Sequence, residues 1–220
     1  MKTSILGTIL IILVACNTET KTKKEATQTE RETKKPEVAF QKIDSDQALV
    51  LTALKAAPEY GREKAKVIGY NMSGDFVTLR EGDNEFVCLA DNPNMEGFNV
   101  ACYHKSLEPF MARGRELKTE GKNGKEIFDI REKEIKSGEL QMGKTGATLH
   151  IYSGPEAVYN PTSGEVPEAK YRYVVYMPFA TSESTGLPEN PIAPNHPWIM
   201  NPGTHKAHIM ISPLKGEGSL

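Results

Sequence analysis

Histidines close to the C-terminal end are the side chains best suited to bind a metal ion. His205 and His208 are separated by two residues, and His196 precedes them. Neutral imidazole is a frequent metal ligand. In a β-strand, side chains three positions apart point to opposite faces, so this pair could share an ion only if His205 lay in a turn. The pattern leaves two interpretations, namely histidines satisfied by local hydrogen bonds or a site that includes His208.

Acidic and aromatic side chains elsewhere could take part in a binding site. Glu81 lies near Asp83 and Glu85 at a predicted turn, but their spacing lacks the further carboxylate of a recognised calcium loop. Asp91 follows the next apolar run. Trp198, the only tryptophan, is either a core side chain or a flat surface lining a ligand groove. With the three histidines, Glu81, Asp91 and Trp198 are the candidate binding residues, and no metal or cofactor is predicted.

Residues 138–145 read GELQMGKT and match the phosphate-binding pattern G-x-x-x-x-G-K-[ST]. In proteins that use this loop, an apolar strand precedes it and a helix follows it. Here the preceding residues 133–136 are mostly charged, whereas residues 147–151 alternate like a strand. We therefore predict that the segment does not bind a nucleotide.

The sequence carries no motif that would establish hydrolysis. It contains neither a G-x-S-x-G nucleophile elbow nor an H-E-x-x-H zinc motif. Its 27 basic residues are matched by 29 acidic ones. Because attraction to phosphates dominates nucleic-acid binding, this balance argues against a nucleic-acid partner.

The N-terminus predicts export and lipid attachment. Lys2 precedes an apolar run shorter than the roughly 20 residues that a membrane-spanning helix needs, and residues 13–16 read LVAC. This ending resembles the lipobox of bacterial lipoproteins, which implies a signal peptide over 1–15, cleavage after it and lipidation of Cys16. Asn17, in place of Asp, favours the outer membrane, facing the periplasm. A plain secretory signal with an incidental cysteine is the alternative.

Composition divides the remaining chain into a tether and a domain. Residues 16–38 are rich in charge and threonine and nearly free of apolar side chains, which predicts a disordered tether, with an exposed charged helix as the alternative. Residues 39–220 are expected to form the globular domain. They contain Cys88 and Cys102. In an oxidising compartment such a pair is expected to form a disulfide, with free thiols or a redox pair as alternatives.

The candidate residues must be positioned by an α+β fold. Its predicted form is a single domain of antiparallel strands and hairpins with two to three helices and one disulfide. Helices are predicted within 45–57, 102–117 and 126–137. Strands are predicted over 66–70, 76–80, 85–89, 147–152, 171–177, 198–200 and 207–211. The proline-containing loops 153–170 and 178–197 are long enough to carry function.

Three segments resemble a family of uncharacterised exported bacterial proteins. They are LREG at 79–82 with FVCLAD at 86–91, the cysteine at 102, and PWIM at 197–200 with GTHKAHIM at 203–210. The resemblance covers about residues 45–213. It implies that both cysteines and the C-terminal segment belong to one fold, and that His208 corresponds to a histidine of the family's closing motif. It implies no particular activity, cofactor or partner.

Together these observations favour a cell-envelope protein held on the membrane through Cys16. Its domain is expected to bind a small molecule or an envelope protein without catalysing a reaction. The alternative is a metal-dependent or hydrolytic enzyme that uses His208 with neighbouring histidines and acidic residues.

Overall fold

The computed structural model describes residues 39–213, which belong to one compact unit. The α-helices in this part of the chain are α1 (Asp46–Ala53), α2 (Glu108–Thr119), α3 (Gly124–Ser137) and α4 (Ser182–Thr185). Single-turn 3-10 helices occur at Leu54–Ala56, Glu59–Gly61 and Lys105–Leu107. The α+β class is confirmed, with one helix more than predicted because α4 is a short capped turn inside the loop 178–197.

The strands are β1 (Gln41–Lys42), β2 (Lys66–Tyr70), β3 (Phe76–Arg80), β4 (Phe86–Leu89), β5 (Phe98–His104), β6 (Thr148–Gly154), β7 (Val158–Tyr159), β8 (Lys170–Tyr176), β9 (Trp198–Met200) and β10 (His208–Ile211). Eight of them form one sheet in the order β3-β2-β4-β5-β6-β8-β10-β9, and β1 pairs with β7. All neighbours in the large sheet are antiparallel except β2 and β4. Because β3 occupies one edge of β2 as its hairpin partner, the returning chain adds β4 to the other edge in the same direction as β2.

Helices cover both faces of the large sheet, since side chains alternate along each strand. On what we call the α1 face, Leu49 and Ala53 of α1 pack with Val67, Val100 and other buried side chains. On the opposite α2 face, Phe110 of α2 packs with Tyr103, Val174 and Tyr176. The sheet therefore lies between two separate apolar cores.

The helix predicted from Cys102 is wrong in its first residues. Cys102 lies within β5, whose burial alternates along most of its length, and α2 begins only at Glu108. Pro109 gives the physical reason. Proline has no amide hydrogen, so it is tolerated in the first turn of a helix but not in its interior, where a start at residue 102 would place it.

Cys88 and Cys102 form the predicted disulfide. They lie directly opposite each other on β4 and β5, and both are fully buried on the α1 face. On the chain-entropy model, closing a loop of this size stabilises the fold by about 3 kcal/mol. The bond therefore links two central strands covalently.

Helices α2 and α3 form a pair on the α2 face. Arg113 of α2 makes an ion pair with Glu134 of α3 at 2.8 Å, and Arg131 of α3 donates to the carbonyl oxygen of Phe110. Asn123 and Glu126 cap the start of α3 reciprocally. These contacts join α2 to α3 at Arg113 and Phe110.

Candidate functional site

A groove of about 970 Å³ lies between the C-terminal half of α2 and the part of the α2 face that β2, β3, β4 and β5 form. The loop 90–97, which joins β4 to β5, contributes part of the lining of this groove. The α2 groove is lined by Tyr70, Phe76, Leu89, Ala90, Asp91, Asn92, Met95, Glu96, Asn99, Ala101, Ala112, Arg115, Glu116, Lys118, Thr119 and Glu120.

Small and apolar side chains form much of the surface of the α2 groove. Leu89 and Ala101 are paired across β4 and β5, and Ala112 faces them from α2. Tyr70 and Phe76 form an aromatic wall, with ring centroids 5.3 Å apart and an edge-to-face angle of 82°. Such a surface accepts the apolar body of a ligand.

Arg115 is held at the groove by a half-buried polar network. Its guanidinium lies 5.5 Å from the centre of the Phe76 ring and donates to the hydroxyl of Tyr103 at 3.3 Å and to Glu108. Tyr103 also donates to Glu108. Burial and the Glu108 carboxylate raise the pKa of Tyr103, so this phenol stays neutral. The network fixes the position of Arg115 and compensates its charge.

Asp91 is the predicted candidate residue that lines the α2 groove. It is only 4% exposed, and its Oδ1 accepts a hydrogen bond from the backbone amide of Asn99 at 2.9 Å. Burial raises the pKa of this carboxyl group above its usual value. A nearly buried carboxylate at the end of an open groove can recognise a polar group of a bound molecule.

The remaining sequence candidates lie elsewhere. Glu81 has a side chain that is 80% exposed and pairs with Lys66 at 3.5 Å. Trp198 lies opposite Met210 on β9 and β10, where it is half-buried against the core of the α2 face. His196 lies in the loop before Trp198, and its Nδ1 is buried without a hydrogen-bond partner among the described residues. The α2 groove is not lined by these three residues.

His205 lies in a turn, as a shared metal site with His208 would require, but protein groups engage both rings. His205 is fully buried, with its ring against Phe110 and Phe128 and its Nδ1 3.2 Å from Glu132 of α3. The Nδ1 of His208 lies 2.7 Å from the carbonyl oxygen of Lys206. Burial lowers the pKa of both histidines. Among residues 39–213, no group of three or more His, Cys, Asp or Glu side chains is arranged to hold a metal ion.

The GELQMGKT segment has the wrong surroundings for a phosphate-binding loop, as predicted. Gly138 ends α3 in a left-handed conformation, with φ of 83°. The residues after it lead into β6. A helix therefore precedes the segment and a strand follows it, which reverses the order of the phosphate-binding motif.

The aromatic residues around His150 were not predicted. This histidine is buried on the α1 face, where it stacks on Tyr171 and Tyr173 of β8. Burial lowers its pKa to about 4. The period-2 patterns of β6 and β8 contained the signal, because they place all three side chains on one face once the strands pair. Tyr70, Phe76 and Arg115 were also missed, since they come from three separate elements.

The predicted lipidation site Cys16, the predicted signal peptide and the predicted tether lie outside the described residues. Between residues 39 and 213, no helix combines the length and the apolar character that crossing a membrane requires. No family model, curated protein or solved structure matches the chain in searches of known proteins. The resemblance to exported bacterial proteins therefore stays a prediction.

Proposed function

We propose that this protein is a lipid-anchored cell-envelope protein whose domain binds a ligand without transforming it, and that the α2 groove is the binding site. The observation that carries the proposal is the groove of about 970 Å³, whose lining combines apolar side chains with polar and charged ones. Binding sites for small molecules combine these two properties. The membrane attachment follows from the lipobox-like residues 13–16.

The space in the groove depends on small side chains. Ala101 on the sheet and Ala112 on α2 leave room that larger residues would fill. The network of Arg115, Glu108 and Tyr103 holds the helix side of the groove in place. A preformed wall of this kind reduces the ordering that a ligand must cause when it binds.

The enzyme hypothesis has weaker support from the side chains it would use. It needs His208 as a base, ligand or nucleophile, yet the Nδ1 of His208 contacts the Lys206 carbonyl oxygen. The Nδ1 of His205 contacts Glu132. Both contacts are those of histidines that fix the conformation of a turn and a strand. These contacts indicate a structural role for both histidines, and neither lines the α2 groove.

The test measures the binding of a neutral apolar dye, N-phenyl-1-naphthylamine, to the purified full-length chain. It compares the wild type with a variant in which a larger side chain fills the α2 groove. Ala112→Trp places an indole in the groove and should abolish the rise in dye fluorescence. Lys125→Trp adds the same side chain on α3, at a position where the lysine side chain is 83% exposed and outside the groove. This control should bind the dye as the wild type does. Circular dichroism verifies that both variants are folded.

Two results would contradict the proposal. The first is a wild-type chain that binds no dye above a protein-free blank. The second is equal dye binding by the wild type and folded Ala112→Trp, because the dye would then occupy a surface outside the groove.

A further inference from the structure

We propose that the α2 groove selects an organic cation, a ligand that carries a protonated amine beside an apolar body, and that Asp91 is the counter-ion of that amine. This inference rests on the proposed function, because it names the chemistry of the ligand that the groove takes.

The lining of the groove is acidic. It contains four carboxylates, Asp91, Glu96, Glu116 and Glu120, and the two cations Arg115 and Lys118. Opposite charge around a cleft attracts a ligand and orients it as it approaches. A cationic ligand is therefore favoured over an anionic one of the same shape.

Ion pairs within the protein separate the charges that are compensated from those that are not. Arg113 pairs with Glu116 at 3.3 Å and with Glu120 at 3.5 Å. The cation Arg115 is paired with Glu108. Within residues 39–213, Asp91 and Glu96 form no ion pair. Lys118 of the lining also forms no ion pair among these residues, so two carboxylates and one cation remain, and their balance leaves negative charge for a ligand to neutralise.

Burial distinguishes Asp91 from Glu96. Glu96 is exposed, so water solvates its charge, and an ion pair there contributes little. Asp91 is 4% exposed, and the amide of Asn99 holds its Oδ1 in position. A fixed carboxylate shielded from water interacts more strongly with a cation than an exposed one does. Asp91 is therefore the carboxylate expected to recognise the amine.

The aromatic wall of the groove suits the same ligand. Tyr70 and Phe76 present ring surfaces to the groove. The Arg115 guanidinium already lies 5.5 Å from the centre of the Phe76 ring, so the wall is expected to pack against the apolar body of the ligand and not against its amine. An amine attached to a flat apolar body could contact both Asp91 and this wall.

The experiment compares three probes that share a phenylethyl body and differ in the terminal group: 2-phenylethylamine, 2-phenylethanol and 3-phenylpropionate. Their dissociation constants for the full-length chain are measured by titration followed with NMR, at neutral pH and constant ionic strength. We expect the amine to bind roughly tenfold or more tightly than the other two, as a charge-assisted hydrogen bond implies. Asp91→Asn keeps an oxygen that can accept from the Asn99 amide. This variant should lose the preference for the amine and keep the wild-type affinity for 2-phenylethanol.

Glu96→Gln is the matched control, because it removes the exposed carboxylate of the same loop and should keep the preference for the amine. Equal binding of the three probes, or tighter binding of the carboxylate, would overturn the cation selectivity while the groove remained a binding site. A preference that survives in Asp91→Asn would overturn the role of Asp91. If none of the probes bound the folded wild type, the cation selectivity would fail, and the dye experiment would decide separately whether the groove is a binding site.

Discussion

Nδ1 of His150 lies 2.5 Å from the hydroxyl oxygen of Tyr171, and Nε2 of the same ring lies 3.0 Å from the hydroxyl oxygen of Thr148. A neutral imidazole has one donor nitrogen and one acceptor nitrogen, and hydroxyl groups can satisfy both. The ring is buried, and His150 forms no ion pair with a carboxylate among the described residues. The site therefore favours the neutral ring over the charged one.

This environment predicts that stability falls in mild acid. Burial lowers the pKa of His150 from 6.5 to about 4. Between these values the unfolded chain binds the proton and the folded chain does not, so falling pH favours unfolding and removes about 3 kcal/mol by pH 4. Urea unfolding at a series of pH values should find a shallower dependence in His150→Gln than in the wild type. His104→Gln is the control, and equal slopes for wild type and His150→Gln would contradict the prediction.

The disulfide should account for a measurable part of the stability. Replacing both cysteines, Cys88→Ala with Cys102→Ala, is expected to lower the free energy of unfolding by about 3 kcal/mol. The oxidised wild type should contain no free thiol at these positions when it is denatured without reductant. Dithiothreitol should destabilise the wild type and leave the double variant unchanged. Equal sensitivity of both chains to the reductant would argue against a stabilising bond.

His205 is expected to contribute to stability as a core side chain. His205→Ala removes a ring packed between Phe110 and Phe128 together with the contact to Glu132. The expected loss is about 3 kcal/mol, the range for large buried side chains cut to alanine. His196→Ala, at a half-buried loop position, should cost less than about 1 kcal/mol. Denaturant unfolding measures both variants, and equal losses would mean that the packing of His205 does not stabilise the turn.

Lipid attachment at Cys16 is tested by metabolic labelling with palmitate. The wild type should incorporate the label and fractionate with membranes, and Cys16→Ala should lose both properties because the acylated thiol is gone. The variant without Cys88 and Cys102 should keep the label. Label that persists in Cys16→Ala would refute the anchor.

The sequence predicted those elements whose local pattern agrees with the fold. The alternation in β2, β6 and β8 placed strands close to their observed positions. The start of α2 was missed because residues 102–107 are compatible with both a strand and a helix. Cys102 adopts the strand conformation because it pairs with Cys88 on β4 and with His150 on β6. These partners are distant in sequence, so the local pattern does not show them.

The candidate site was less predictable than the fold. Asp91 could be selected as a carboxylate after an apolar run, yet nothing local indicates that it is buried beside a groove. Tyr70, Phe76 and Arg115 belong to two strands and a helix that meet only when the sheet forms. The space between them is a property of the packing, so a motif search along the chain cannot find it.

Two cross-links join the chain on either side of the loop between β4 and β5, and together we call them the base of the loop. Cys88 lies three residues before Asp91, and Cys102 lies three residues after Asn99. The first cross-link is the Cys88–Cys102 disulfide, and the second is the hydrogen bond that the Asn99 amide donates to Asp91. The residues between them, including Met95 and Glu96 at the groove, can therefore change in length and sequence without moving the strands below. Like the hypervariable loops of an antibody on their framework, this segment offers a place where proteins of this fold could diverge in what they bind.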